Sequence, residues 1–220
     1  MSVIIPTMVF DDFFQNPNEI RKLALEQQYF VSEEGKWPGL RTNLLSEINK
    51  ELFHYVTVKI ISLMYNTNTQ YQYTVDARFQ VITGEYGEGW IHNDAANSLL
   101  TAIIYLTPES TSGTSIYKIN NPLAFNPYEY QKEKVVSINT KNGVQVPARD
   151  LHNNKFTETI KISGEYNRML VFDSHLCHAA HHFFGTSNED ARLTLVIFIR
   201  QLNAADMMPA VRANRHGNGI

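Results

Sequence analysis

The chain has 220 residues, 43% of them hydrophobic and 19% charged, with a formal net charge of −3. Such a chain is long enough to bury a large core as one domain. Its charge excludes the basic footprint of a nucleic-acid-binding protein, and no apolar run approaches the length of a membrane span. Cys177 is the single cysteine. No internal disulfide can form, which fits a reducing cytoplasm. The segment Met1–Pro6 has neither the charged nor the apolar region of a secretory signal.

Taken in order, residues 1–14 read as a short strand running into Asp11-Asp12-Phe13-Phe14. Asn16, Pro17 and Glu19 form a helix start: a capping residue, proline at the first helical position and an acid at the third. Ile20, Leu23 and Ala24 then share one face, which predicts an amphipathic helix over 17–28. Gly35 to Gly39 is a loop. A second helix should start near Thr42, with Leu45, Ile48, Leu52, Val56, Leu63 and Met64 at helical spacing and a slip of phase near Thr57–Ile60.

The period then changes. Tyr71, Tyr73, Val75, Ala77, Phe79 and Val81 alternate with polar neighbours, the pattern of a half-buried strand. Gly84, Gly87 and Gly89 punctuate a turn. Leu99–Leu106 is an apolar strand, Pro108–Gly113 a turn and Thr114–Lys118 a short strand. Residues 119–155 are polar, with Pro122, Pro127 and Pro147, and read as a long irregular insertion with a short helix or hairpin near Tyr128–Val136. A connection of this length is expected to be a lid, a binding loop or a disordered segment. We expect it to fold over the mouth of the site. Strands return at Phe156–Ser163, with Phe156, Ile160 and Ile162 inward, at Arg168–Phe172 and at Arg192–Ile199. Residues 203–220 read as a tail. Two helices followed by many short strands predict an α+β, mainly β protein: a jelly roll with supporting N-terminal helices, formed as one domain over 1–220.

The candidate chemistry centres on Trp90-Ile91-His92-Asn93-Asp94. Residues two apart on an extended strand point to the same face, so the imidazole of His92 and the carboxylate of Asp94 can reach one point. One further histidine would complete a two-histidine, one-carboxylate face with open positions, the arrangement used by non-haem Fe(II) oxygenases. The third ligand must come from His175, His178, His181, His182 or His152. His178 is the choice, because it follows a strand after a short turn and because Ala179 and Ala180 leave room beside it. His181 stands second. Arg192 presents a fork that fits a carboxylate, although it can equally pair with Glu189 or Asp190 at a surface turn. Tyr105 can donate its hydroxyl to the same carboxylate or can simply be a core tyrosine.

An ordered set of motifs then resembles a known superfamily. The set is His92-Asn93-Asp94, Thr101–Leu106, Ser112-Gly113-Thr114, Asn167–Asp173, His178–Gly185 and Arg192-Leu193-Thr194. It is similar to the Fe(II)- and 2-oxoglutarate-dependent oxygenases. The nearest likeness is to a prolyl-hydroxylase-like branch found in phage and marine bacterial genomes. Asp11–Phe14, Asn16-Pro17 and Pro38–Thr42 share that likeness, so it covers roughly residues 9–202. The resemblance implies a double-stranded β-helix, a cupin-like jelly roll. It implies that His92, Asp94 and His178 hold iron, that Arg192 receives the distal carboxylate of 2-oxoglutarate and that Tyr105 assists. It further implies that O₂ is consumed, that an unidentified small-molecule or peptide substrate is hydroxylated, and that succinate and CO₂ are released. The spacing from His178 to Arg192 is longer than is usual in prolyl hydroxylases, which leaves His181 and His182 open as ligands. A metal- and small-molecule-binding cupin without oxygenase activity is the alternative.

Overall fold

The computed structural model describes residues 7–31, 37–64, 71–95, 98–108, 112–121 and 146–204. Among these residues, ten strands form two antiparallel sheets. The strands are β1 (Met8–Phe10), β2 (Phe30–Val31), β3 (Leu40–Arg41), β4 (Tyr71–Ile82), β5 (Leu100–Tyr105), β6 (Thr114–Ile119), β7 (Phe156–Ile162), β8 (Met169–Asp173), β9 (Cys177–Ala180) and β10 (Arg192–Ala204). The large sheet runs β1-β8-β5-β10-β4-β3-β2 and the small one β7-β6-β9. The central neighbours of the large sheet are far apart in sequence, and the two sheets enclose a roll, the double-stranded β-helix.

The first three helices lie on the outside of the large sheet, and the fourth packs against residues 89–91 and Phe156 of the small sheet. They are α1 (Pro17–Leu25), α2 (Leu45–Ile48), α3 (Lys50–Met64) and α4 (Val146–Asn153). Ala77, Phe79 and Val81 of β4, Leu193, Leu195 and Ile197 of β10, and Ala102 and Ile104 of β5 share one core with Ala24, Leu45, Val56, Ile60 and Ile61 of the helices. Each such buried aliphatic side chain contributes roughly 1.5–3 kcal/mol. The alternate residues face the other way. Ile103 and Tyr105 of β5 and Leu170 and Phe172 of β8 pack on Ile116 and Ile162 of the small sheet. Strand periodicity thus divides each central strand between an outer, helix-covered face and an inner face lining the roll. This also explains why β4 is less half-buried than its alternation predicts. From Phe79 to Ile82 every residue is buried, because both faces are covered there.

Several boundaries differ from the sequence expectations. α1 ends at Leu25 rather than at 28, and Asn16 holds its start through its backbone carbonyl, which accepts from the Glu19 amide at 3.2 Å. The predicted second helix is broken at Asn49, where the backbone is extended, and not at 57–60. The Asn49 side chain accepts a 2.9 Å bond from the Leu52 amide. It therefore caps α3, a local competition typical of asparagine. Ile160 is exposed rather than inward. β7 is the edge of the small sheet, and its register with β6 shifts beside Ile160. β9 was not expected as a strand. β10 runs on to Ala204 past a register shift between Ile199 and Gln201, two residues into the predicted tail. The insertion is not wholly irregular, since its end folds as α4. The hairpin or helix expected at Tyr128–Val136, and the tail beyond Ala204, lie outside the described residues.

Asn167 ties the N-terminus to the roll. It adopts φ 64°, which asparagine tolerates better than most residues. Its side chain accepts from the Phe14 amide and donates to the Phe14 carbonyl, both at 2.8 Å. That contact places the Asp11–Phe14 motif against the turn before β8.

Candidate metal centre and buried arginine

Residues 89–94 run antiparallel to β9 without forming a full strand. The Gly89 amide donates to the Ala180 carbonyl at 3.2 Å, and His92 and His178 exchange backbone bonds of 3.0 and 2.7 Å. The Asp94 amide then bonds the Ser174 carbonyl at 2.9 Å. The His-x-Asp pair is therefore laid directly beside His178. Gly89 makes this approach possible: a β-carbon there would stand 2.4 Å from the Ala180 carbonyl oxygen and 3.1 Å from the Ala179 β-carbon. The small residues Ala179 and Ala180 thus leave room for a neighbouring backbone, not for a metal as their size first implied. We expect Gly89→Ala to push this segment off β9, lowering the melting temperature by several degrees and weakening divalent-metal binding at least tenfold, as measured by calorimetry. Unchanged metal affinity would show that the segment's path is not set by this contact.

His92, Asp94 and His178 each offer a ligand atom, all within 4.8 Å of one another. His178 Nε2 is 3.3 Å from Asp94 Oδ2, and His92 Nε2 is 3.7 Å from Oδ1. The two imidazole rings lie 4.4 Å apart. The Nδ1 atom of His92 is 2.7 Å from the Trp90 carbonyl, and that of His178 is 3.0 Å from the Leu176 carbonyl. A carbonyl only accepts, so each Nδ1 donates and each Nε2 is the ring nitrogen left facing the carboxylate. Three electron-rich atoms facing one another call for a cation. Ligands 2.0–2.2 Å from an ion at right angles to one another lie about 3 Å apart, close to the spacing here. Carbonyl-fixed Nδ1 protons are the usual support of metal-binding histidines. Asp94 is held in turn: Thr101 Oγ1 donates to its Oδ2 at 2.9 Å, with Ser174 Oγ 3.0 Å from Thr101. The fully buried Phe172 ring packs 4.5 Å from His178 and forms the floor.

The other histidines are engaged elsewhere. His181 Nε2 lies 2.8 Å from Ser115 Oγ, and its Nδ1 accepts from the Gly113 amide at 3.3 Å. Burial, with Lys161 nearby, lowers its pKa, which keeps it a neutral partner for those groups. His182 bonds Ser112 through its backbone. His175 is exposed and pairs with Asp173 at 3.0 Å. His152 is buried on α4, where its Nε2 donates to the Ile91 carbonyl at 2.8 Å and its ring stacks 4.6 Å from Trp90. Asn153 bonds the same segment at Gly89 and Ile91. α4 therefore clamps the approach to His92, a role that the sequence did not reveal.

Arg192 opens β10 on the inner face, buried to 4% exposure. Among the described residues neither Glu189 nor Asp190 pairs with it. Asp190 accepts from the amides of Thr186 and Ser187, and the bonds found for Arg192 do not include Glu189. Arg192 Nη2 makes a long 3.4 Å bond to Thr114 Oγ1, and its guanidinium lies 5.4 Å from the Tyr105 ring centre. Tyr105 donates to the same Thr114 oxygen at 2.8 Å. Arg192 Nε and Thr194 Oγ1 are sealed from water with no hydrogen-bond partner among the described residues. Burial pushes the guanidinium below its ordinary pKa, while Tyr105 opposes that shift. Burial likewise raises the Tyr105 hydroxyl, against the pull of Arg192. A charge buried this way without an acid partner is costly, and an incoming carboxylate is its natural complement. Thr101 and Tyr105 lie four residues apart on one face of β5, so the arginine end sits about 13 Å along the strand from the Asp94 end.

These features define a jelly-roll, double-stranded β-helix protein with a candidate metal face and a buried basic group in one roll. The chain belongs to the family of unknown function DUF6445, which matches residues 4–199. No curated protein matches it. Among solved structures it is similar to a prolyl hydroxylase from Trichoplax adhaerens in complex with a hypoxia inducible factor oxygen degradation domain peptide. The identity is 13%, the match covers 97% of this chain and 87% of that one, and the TM-score is 0.52. It is also similar to HygX from Streptomyces hygroscopicus with nickel and 2-oxoglutarate bound, at 10% identity, 92% and 84% coverage and a TM-score of 0.54. A HygX structure that also holds hygromycin B matches at 10% identity, with the same coverage and a TM-score of 0.53. At these identities the likeness is one of fold. Among the described residues, no helix is long and apolar enough to cross a membrane.

Proposed function

We propose that this chain is an Fe(II)- and 2-oxoglutarate-dependent dioxygenase that hydroxylates a substrate with release of succinate and CO₂, its functional unit being one domain over 1–220. The observation that carries the reading is the pairing of two features in one roll. Two Nε2 atoms and a carboxylate converge at one end, and a buried guanidinium without an acid partner among the described residues stands further along the same inner face. The fold neighbours support it: HygX binds nickel and 2-oxoglutarate in a roll of the same kind. The motifs that resemble the phage and marine prolyl-hydroxylase-like branch point the same way.

In this reading His92, Asp94 and His178 hold the iron and Arg192 takes the distal carboxylate of 2-oxoglutarate, with Tyr105 and Thr114 steadying the arginine. The iron would supply the redox chemistry that couples O₂ to oxidation of the co-acid and the substrate. The chain supplies the rest. The Trp90 and Leu176 carbonyls keep both imidazoles in the ligating tautomer. Thr101 fixes the carboxylate against rotation, and the apolar wall of Ile103, Leu170 and Phe172 keeps water out. The substrate is a small molecule or a peptide, both of which occur in the neighbours. The net charge of −3 argues against nucleic acid. The buried, lone Cys177 suits a cytoplasmic location.

The competing reading is a cupin-like metal- and small-molecule-binding protein without oxygenase activity. Such a module has no use for a buried carboxylate receptor, and Arg192 therefore weighs against it. The deciding experiment supplies Fe(II), 2-oxoglutarate and O₂ and measures succinate. Slow Fe(II)-dependent succinate release is expected even without substrate, and acceleration is expected from a screened substrate. No succinate under any of these conditions would leave the binding module as the function. Incorporation of labelled oxygen into the product then separates hydroxylation from other oxidations.

A further inference from the structure

A second guanidinium stands at the edge of the same inner face. Arg41 on β3 is opposite Gln80 on β4, Gln80 is opposite Thr194 on β10, and Thr194 is opposite Tyr105 on β5. Directly opposed residues of antiparallel strands share a face. One row therefore runs from the Tyr105 region beneath Arg192 out to Arg41. The Arg41 guanidinium lies 4.6 Å over the Trp37 ring and 5.5 Å from that of Phe198. These rings hold its plane but do not accept its in-plane protons. Its single side-chain bond among the described residues is a long one, 3.4 Å to Gln80 Oε1. Arg41 Nε and Trp37 Nε1 are both shielded from water and have no hydrogen-bond partner among the described residues.

The charges around this pair are unbalanced. Burial, chiefly, lowers Arg41 to about 10, with Asp94 opposing the fall and Arg78 adding to it. Asp94 already faces two imidazoles. Arg78 is satisfied by the Thr42 carbonyl at 2.7 Å. Two cations thus share the field of one acid that is already engaged. Two N–H donors, one on a rigid fork and one on an indole, stand without acceptors. The group that satisfies such donors is an oxyanion, which a guanidinium fork grips with two parallel bonds.

We propose that Arg41 and Trp37 form a subsite for an oxyanion of the substrate, a carboxylate or a phosphate group, toward the edge of the inner face of the large sheet. Only the word substrate rests on the oxygenase reading; the anion site stands on its own geometry. Arg192 serves the co-acid at the middle of the sheet, and Arg41 serves the molecule to be oxidised at its edge. The substrate class is therefore an acidic small molecule or an acidic side chain presented on a peptide.

The test is calorimetric titration of metal-free protein with inorganic phosphate and, separately, with benzoate. At least one should bind the parent and lose at least tenfold in affinity in Arg41→Gln, while the surface control Arg200→Gln, whose guanidinium pairs with Asp76, should lose less than twofold. A tenfold preference for one anion names the group, and equal binding means that the subsite reads only the oxyanion. Failure of both anions to bind the parent, or parent-like binding by Arg41→Gln, overturns the proposal. Should Arg41→Gln fail to fold, phenylglyoxal modification of the parent decides the matter. Saturating anion must slow modification of Arg41, read by peptide mass spectrometry, and an unprotected Arg41 overturns the subsite. These measurements involve no turnover. Anion binding without succinate release would keep the subsite and sink the oxygenase reading, and the reverse result would do the opposite.

Discussion

Replacing Asp94 by alanine should lower the affinity for Fe(II), or for Mn(II) as a stable stand-in, by more than about a hundredfold, and should abolish Fe(II)-dependent succinate release. Loss of an outer-shell partner alone typically costs ten- to a hundredfold in metal affinity, and Asp94 supplies the only anionic ligand of the three. The protein should still fold. The Asp94 side chain is 16% exposed, and its removal leaves the backbone bonds between His92 and His178 untouched. His181→Ala, made in parallel, should leave metal binding intact, because that ring is bonded to Ser115 and Gly113. Parent-like metal affinity in Asp94→Ala would remove Asp94 from the ligand set. A loss in His181→Ala would move the third ligand.

Replacing Arg192 by methionine should cost about 2–5 kcal/mol in 2-oxoglutarate binding, the range for truncating one partner of a buried charge pair. That corresponds to a roughly thirty-fold to several-thousand-fold rise in its dissociation constant. Metal binding should survive, since none of the three candidate ligands bonds Arg192 in the structure. The sign of the stability change in the free protein is equally diagnostic. An arginine in a structural ion pair destabilises the fold when it is removed. A buried arginine awaiting a carboxylate does not, because an apolar side chain of similar length removes an uncompensated charge. We therefore expect Arg192→Met to melt at or above the parent temperature when 2-oxoglutarate is absent, and below it when the co-acid is saturating, because ligand stabilisation is then lost. Unchanged 2-oxoglutarate affinity would eliminate Arg192 as the receptor.

Much of the architecture was legible because it rests on local periodicity. The alternation of Tyr71 to Val81 marks β4, the Asn16-Pro17-Glu19 signal starts α1, and the apolar runs at 99–106 and 192–199 become adjacent central strands, β5 and β10. Each of these patterns is a statement about which face is buried, and burial is what the chain encodes most strongly. The candidate site was also partly legible. A two-residue spacing puts His92 and Asp94 on one side whatever the fold, provided the backbone is extended there. Arg192 and Tyr105 were found by residue type and by the motifs around them.

Other features had no local signal. The break at Asn49 turns on one side chain outcompeting the helix backbone, a choice that the surrounding apolar spacing hides. Ile160 looks inward by parity, yet an edge position and a register shift leave it exposed. α4 carries an early proline within a polar stretch. It is held by contacts to Gly89, Trp90 and Ile91, some 60 residues away in sequence.

The sequence by itself determined that this chain folds as a jelly roll with outer helices, and that His92 and Asp94 share one face. Only the tertiary structure decided which histidine lies beside them. Four candidates lie between Asp173 and Ala191, and no spacing rule distinguishes His178 from His181. The backbone pairing of β9 with residues 89–94 does, because it sets His178 directly across from His92 and turns His181 toward Ser115. Tertiary structure also decided that Arg192 is a buried cation and not a surface salt bridge, and that Arg41 joins it on the same inner face. Sequence spacing fixes what a residue's neighbours along the chain can reach. Partnership across a sheet is fixed by register, and register is the sum of pairings spread over the whole roll.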